Sequence, residues 1–396
     1  MPGVAALLMG CQVTEAKPVW SNRDFMLRSP AAVGAGVVVF VGTKDGATKV
    51  WALGASDGAV RWSADLGRTA DGGLALTVVG DQVLVADDQT VSAFELASGA
   101  RRWGTRAVTP GTVDGIYTLT PPATAPGKLL LAGKLWSRVM AVNAATGEVL
   151  WRTPANGHDQ PQVLAVRGDA VLSYGYEDVV ASGLGDGVER WRVALSSGAR
   201  PAMTPLVDSV RLGAGHGELV VAVDGSTVLG LERATGKERW RYQTKGPISF
   251  AGDATTVVIA DGNHTIGIDA TSGKARWNGD ASRAVTALDG NTSLAISSGK
   301  VLALGNSDGK VLASASVDVA EGLQILSAQA GKVVFGDLGH TFLASFDGKK
   351  ITIARIGDHP PALADRRFAD VQTVDVASDG ATLVTHAKSG ALNLYQ

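Results

Sequence analysis

Apolar residues in this chain come in short runs separated by glycine, aspartate, serine and threonine, as in PISFAGD (247–253) and TTVVIADG (255–262). Runs of this length, rich in valine, isoleucine and leucine and bounded by turn residues, predict β-strands rather than helices. One stretch is written six times: KVWALGASDGAVRW, TVSAFELASGARRW, RVMAVNAATGEVLW, DVVASGLGDGVERW, TVLGLERATGKERW and HTIGIDATSGKARW, ending at Trp62, Trp103, Trp151, Trp191, Trp240 and Trp277. Each copy holds a small residue (Ala52, Ala93, Ala141, Ala181, Gly230, Gly267) and a glycine (Gly58, Gly99, Gly147, Gly187, Gly236, Gly273), with the tryptophan four residues further on. The pattern predicts two strands joined by a tight turn whose glycine takes positive φ. Two further strand-like runs precede each copy, so each unit has four short antiparallel strands.

The motif tryptophans recur every 37 to 49 residues, the length of one propeller blade. Two more units follow without the tryptophan. KVLALGNSDGKVLASASV has Ala313 in its place, and TFLASFDGKKITIARI has a shorter turn and Thr352. The last stretch, 371–396, supplies three strands and stops. The missing fourth is expected from KPVWSNR (17–23), because Trp20 lies one repeat, 42 residues, before Trp62. A lone blade leaves sheet edges and an apolar face exposed; stacking blades radially and sharing one between the termini buries them. The expected fold is therefore all-β, a single propeller over 17–396 of four-stranded antiparallel blades. The count is eight or nine, nine when read literally, and the N-terminal strand closes the last blade. Trp20, Trp62, Trp103, Trp151, Trp191, Trp240 and Trp277 are expected to dock between blades.

Composition narrows the function classes. Net charge is −2, with 36 basic and 38 acidic residues and no basic run, so the clustered lysine and arginine that a phosphate backbone requires are missing and no nucleic-acid partner is expected. One cysteine allows neither an internal disulfide nor a cysteine-based zinc site. No stretch of 18 apolar residues predicts a membrane span. The six histidines (158, 216, 264, 340, 359, 386) are scattered without ligand spacing, so no metal is expected. GASDG (54–58) and GNSDG (305–309) match a hydrolase pattern, but a nucleophile elbow needs a strand-to-helix turn and both lie in strand–strand turns. Arginine precedes the tryptophan in five copies (Arg61, Arg102, Arg190, Arg239, Arg276). Alternation puts it on the opposite face, either solvated or packed between blades, or as a basic rim for an acidic partner.

The repeated hairpin resembles the tryptophan-docking repeat of the PQQ-type β-propellers, over about residues 17–396. Of the branches of that superfamily, the chain resembles the non-enzymatic lipoproteins typified by the BamB family of outer-membrane protein assembly, in its length and its lack of a second domain. The quinoprotein dehydrogenases are a poorer match. They usually carry a vicinal disulfide against the quinone, which one cysteine cannot form, and no cluster here offers six to eight converging oxygens for calcium. The resemblance implies a scaffold that is not an enzyme, needs no cofactor, is monomeric, and has protein partners that include the barrel-assembly machinery. An envelope sensor or ligand-binding propeller with an unrelated partner remains the alternative, and a PQQ-dependent dehydrogenase the third reading.

Leu8-Met9-Gly10-Cys11 resembles a lipobox, with an apolar residue three before the cysteine and a small one before it. Only ten residues and no basic stretch precede it, short of a working signal peptide. Residues 1–16 are expected to be the remnant of a lipoprotein signal and a tether, with Cys11 as lipid acceptor and the lipid as the only membrane contact. Gln12 favours the outer membrane, by analogy with Gram-negative lipoproteins. In a Gram-positive host the protein would be extracellular and membrane-anchored. Partner binding is expected on the proline-bearing loops 107–128 and 194–205, with Trp136, Tyr174 and Tyr176 as aromatic anchors beside the first.

Overall fold

The computed structural model describes residues 13–66, 74–87, 90–106, 116–120, 127–133, 139–153, 162–174, 178–195, 208–211, 218–224, 226–245, 249–253, 255–261, 264–280, 282–297, 299–317, 324–329, 331–336, 340–356, 371–376, 383–387 and 392–395. All regular structure in them is strand, arranged as nine antiparallel sheets that form the nine blades of a propeller. Blade one is built from Ala32–Gly34, Val37–Lys44, Ala47–Gly54 and Val60–Asp65, and the same innermost-to-outermost order repeats through blade eight, which ends with Thr341–Phe346 and Ile351–Ile356. Blade nine takes Val371–Val376, Leu383–Ala387 and Leu392–Tyr395 from the C-terminal end and Trp20–Asn22 as its outer strand, with Trp20 opposite Leu394. The literal count of nine and the closure by the N-terminal strand are both what the structure shows.

Why these residues pack as blades follows from the register of the motif hairpin. The small residue of each copy lies directly across from its tryptophan: Ala52 from Trp62, Ala141 from Trp151, Gly267 from Trp277. The ladder shifts by one residue immediately after the small residue in every copy, a bulge that twists the hairpin. The indole then projects to the next blade. Its Nε1 donates to a backbone carbonyl there: Trp20 to Ala55 (3.0 Å), Trp62 to Leu96 (2.8 Å), Trp103 to Ala144 (3.1 Å), Trp151 to Leu184 (2.9 Å), Trp191 to Arg233 (2.7 Å), Trp240 to Ala270 (2.8 Å) and Trp277 to Asn306 (2.8 Å). Each acceptor sits three residues before the turn glycine of the receiving blade. The ring lies against that glycine: a Cβ on Gly236 would fall 2.7 Å from the Trp191 ring, and one on Gly309 2.6 Å from Trp277. Gly236 is also at φ 70°, so both the backbone and the neighbouring indole require glycine here. Burying an indole contributes about 4–6 kcal/mol of gross transfer free energy, and pairing its N–H prevents the cost of an unsatisfied buried donor.

Blades seven to nine hold together differently. Between blades seven and eight the filling is aliphatic and phenyl: Leu294, Ile296, Val301, Val333, Phe335, Phe342 and Ile353 form one buried cluster, with Phe335 and Phe342 stacked at 5.3 Å. Between blades eight and nine the buried apolar cluster comprises Val334, Ile356, Leu383 and Tyr395 among the described residues. The N-terminal segment crosses this part of the ring. Thr14–Glu15 runs parallel to the outer strand of blade eight, Trp20–Asn22 belongs to blade nine, and Met26–Leu27 pairs with blade one at Thr43 and Gly42. Ala16 donates its amide to the Arg355 carbonyl (2.9 Å) and packs on the blade eight–nine cluster. Most of the polar stretch QVTEA thus lies against the ring.

Candidate interaction surface

The outer strands form the rim of the disc, and alternation along them sorts the side chains. In blade four, Glu189–Ala194, the tryptophan position is buried while Glu189, Arg190 and Arg192 are exposed. The arginines that precede the motif tryptophan are paired within their own blades. Arg61 reaches Asp57 (2.8 Å), Arg102 reaches Asp81 (2.6 Å) and Glu95 (3.1 Å), Arg190 reaches Asp169 (2.7 Å), Arg239 reaches Glu232 (3.6 Å), and Arg276 reaches Asp269. The Arg102 hydrogen bond holds the Asp81 carboxyl below its ordinary range, and Arg190 does the same for Asp169. Glu95 is lowered first by the Ser98 hydroxyl and then by Arg102. Each cation therefore meets a local anion, and the rim offers alternating charge rather than a basic stripe.

Of the residues singled out for partner binding, Tyr174 ends the second strand of blade four, Ala170–Tyr174. Trp136 and Tyr176 lie outside the described residues, as do Cys11 and most of both proline-bearing segments; within 107–128, expected to be loop throughout, Ile116–Thr120 is instead the innermost strand of blade three. Among the described residues no group of three or more histidine, cysteine, aspartate or glutamate side chains could hold a metal. Asp375 is a residue of the first strand of blade nine. His264 sits at a turn beside the buried Asp261, which accepts its backbone amide at 2.7 Å. Ser56 and Ser307 occupy hairpin turns with no helix after them.

Two rim features were not visible in the repeat. One is the added parallel strand on blade eight. The other is the outer strand of blade seven, Val311–Ser316, which exposes Val311 (51%) and Leu312 (44%) side by side. The signal for the second was present in the sequence: VLASAS carries no charge where other copies place arginine before tryptophan.

The sequence profile of the family described as outer membrane protein assembly factor BamB matches residues 12–160, 136–246 and 176–391. The chain belongs to the BamB family. Its overlapping matches follow from the repeat, since the profile fits in more than one register. Among solved structures, BamB from Moraxella catarrhalis is similar over 83% of this chain and 95% of that one, at 16% identity and a TM-score of 0.50. The C-terminal WD40 domain of Sif2 covers 97% of this chain and 98% of its own, at 9% identity and a TM-score of 0.60. Quinohemoprotein alcohol dehydrogenase from Comamonas testosteroni covers 84% of this chain and 72% of its own, at 12% identity and 0.51. At these identities the likeness is one of fold. No curated protein sequence matched the chain. Membership of the BamB family thus rests on the profile, and the full motif hairpin recurs in six of the nine blades.

Proposed function

We propose that this protein is a non-enzymatic scaffold of the cell envelope, anchored through a lipid on Cys11, that assists the assembly of outer-membrane β-barrel proteins through protein–protein contacts. The observation that carries this reading is the family match along nearly the whole chain. The chemistry of the described residues is consistent with it: their motif arginines are neutralised by neighbours, and they include no ligand cluster for a metal. A single cysteine leaves no pair to lie against a quinone, so the likeness to an alcohol dehydrogenase is read as shared architecture. A rigid ring presents recognition elements without having to order itself on binding, and the segments 107–128, apart from its strand Ile116–Thr120, and 194–205, with Trp136, Tyr174 and Tyr176, are the contacts we assign to the partner.

Affinity capture from detergent-solubilised envelopes of the native host tests the scaffold. Co-recovery of barrel-assembly components is expected, and loss of that recovery on replacing Trp136 and Tyr176 by alanine. Recovery of none of them from wild type would refute the assignment. The anchor is tested separately with a palmitate analogue: wild type should incorporate label and partition into membranes, and Cys11→Ser should do neither. A Cys11→Ser protein that still fractionates with membranes would remove the anchor. Adding PQQ and calcium is expected to produce neither a new absorbance band nor dye reduction.

A further inference from the structure

The outer strand of blade seven differs from the other outer strands described. Those of blades one to six each carry arginine: Arg61, Arg101, Arg152, Arg190, Arg239 and Arg276 are examples. Blade eight carries Arg355 and its edge is already covered by Thr14–Glu15. The closing strand Trp20–Asn22 is uncharged but only three residues long, and it is flanked by Pro18 and Arg23. Charge, shortness, proline, bulges and covering are the means by which sheets keep open edges from pairing. The six residues Val311–Ser316 contain no charge and no proline, and no described strand covers their outer side; Lys310 lies just before the strand, and its one bulge, at Val311–Ala313, is the bulge common to the motif hairpins. Val311 and Leu312 are also the one consecutive pair of exposed large hydrophobics among the described residues.

The hydrogen-bonding groups of this edge are aimed outward. Val317 donates its amide inward to the Gly299 carbonyl (3.2 Å), and the ladder pairs Ser316 with Lys300, Ala315 with Val301 and Ser314 with Leu302. In an antiparallel pair successive residues alternate between bonding the partner strand and facing away. The amides and carbonyls of Ser314 and Ser316 therefore face the open side. The next blade shows that an outer edge of this ring can take an added strand: Thr14–Glu15 pairs parallel to Ile351–Ile356, with Ala16 donating to Arg355 at 2.9 Å.

We propose that the outer edge of blade seven is a strand-addition site for an extended segment of a partner protein. The segment is uncharged, with apolar and small polar side chains alternating. An edge without charge gives a charged segment no partner and would force it to desolvate for nothing. Val311 and Leu312 favour apolar side chains at one end, and Ser314 and Ser316 leave room for small hydroxyl-bearing ones at the other. Backbone pairing supplies affinity and the alternating side chains supply selectivity. The inference rests on the scaffold reading above and assigns it a second contact, away from the proline-bearing loops.

The test uses the intact protein and a fluorescein-labelled, acetylated octapeptide of alternating valine and threonine, followed by anisotropy. Saturable binding to wild type is expected, weakened at least tenfold by Ser314→Pro, which removes one outward amide, and by Leu312→Lys. Ser63→Pro, at the corresponding position of blade one, should bind like wild type. Absence of binding to wild type, or unchanged binding by Leu312→Lys with a wild-type unfolding midpoint, would overturn the proposal; that exposed position decides if the proline variant fails to fold. Sedimentation equilibrium is the companion measurement: a dimer that Leu312→Lys dissociates would make the occupant a second copy and overturn it too. Failure of the peptide arm with barrel-assembly capture intact removes this site alone, whereas peptide binding without capture removes the scaffold reading.

Discussion

The seven interfaces from blade nine round to blade seven are closed by a tryptophan, while those from seven to eight and eight to nine are not. At a docked interface one side chain performs three tasks: it fills the gap, satisfies a carbonyl three residues before the turn glycine, and lies on that glycine. At the seven–eight interface these tasks are separated. Packing is handed to Phe335, Phe342 and the aliphatic residues around them, and no indole bond ties the turn. At the eight–nine interface part of the apolar filling is supplied by the chain's own N-terminal segment, through Ala16. The difference shows that the repeat is a convenient solution to blade stacking and that volume, rather than the tryptophan itself, is what a propeller must supply.

Removing the filling should cost most and should test whether the two solutions are equivalent. Trp240→Ala and Phe335→Ala are each expected to lower unfolding free energy by about 3–5 kcal/mol, measured by urea denaturation. A much smaller loss at Phe335 would show that the undocked interface carries less of the ring's stability. Gly236→Ala comes next, with an expected loss of about 1–3 kcal/mol from the Trp191 overlap and the positive φ together, whereas Gly46→Ala, also at positive φ but with nothing within 4 Å, should lose less. The smallest effect is electrostatic. Asp81 and Glu95 have depressed folded-state pKa values, so their contribution is present above the unfolded carboxylate range and is lost as pH falls through the folded values. Arg102→Gln should therefore be slightly less stable than wild type at pH 7, and the two should converge in acid. A gap that persists below pH 2 would mean that Arg102 acts through packing.

The fold was legible because its signal repeats. A small residue, a turn glycine and a tryptophan at fixed offsets, written six times, located the blades, and the distance from Trp20 to Trp62 announced the closing strand. Other features left no local trace. Thr14–Glu15 is a two-residue strand with both positions exposed, paired to Ala354 and Arg355 at the far end of the chain, and two polar residues carry no periodicity. The arginine partners were hidden for a similar reason: Asp81 and Asp169 sit in the turn between the first two strands of their blades, 21 residues before Arg102 and Arg190 on the fourth, and only the folded blade brings them together. The charge-free edge of blade seven was readable but silent until the other edges could be laid beside it.

The N-terminal segment that touches blades eight, nine and one in succession also sets an order of events. Met26–Leu27 can settle on blade one as soon as that blade exists, but Trp20–Asn22 must wait for Leu392–Tyr395. At the usual pace of synthesis that is a delay of about 20–70 seconds, during which an open arc of blades offers two raw ends to its surroundings. Trp20–Asn22 is thus made early and placed late, and the ring closes only when that strand meets Leu392–Tyr395.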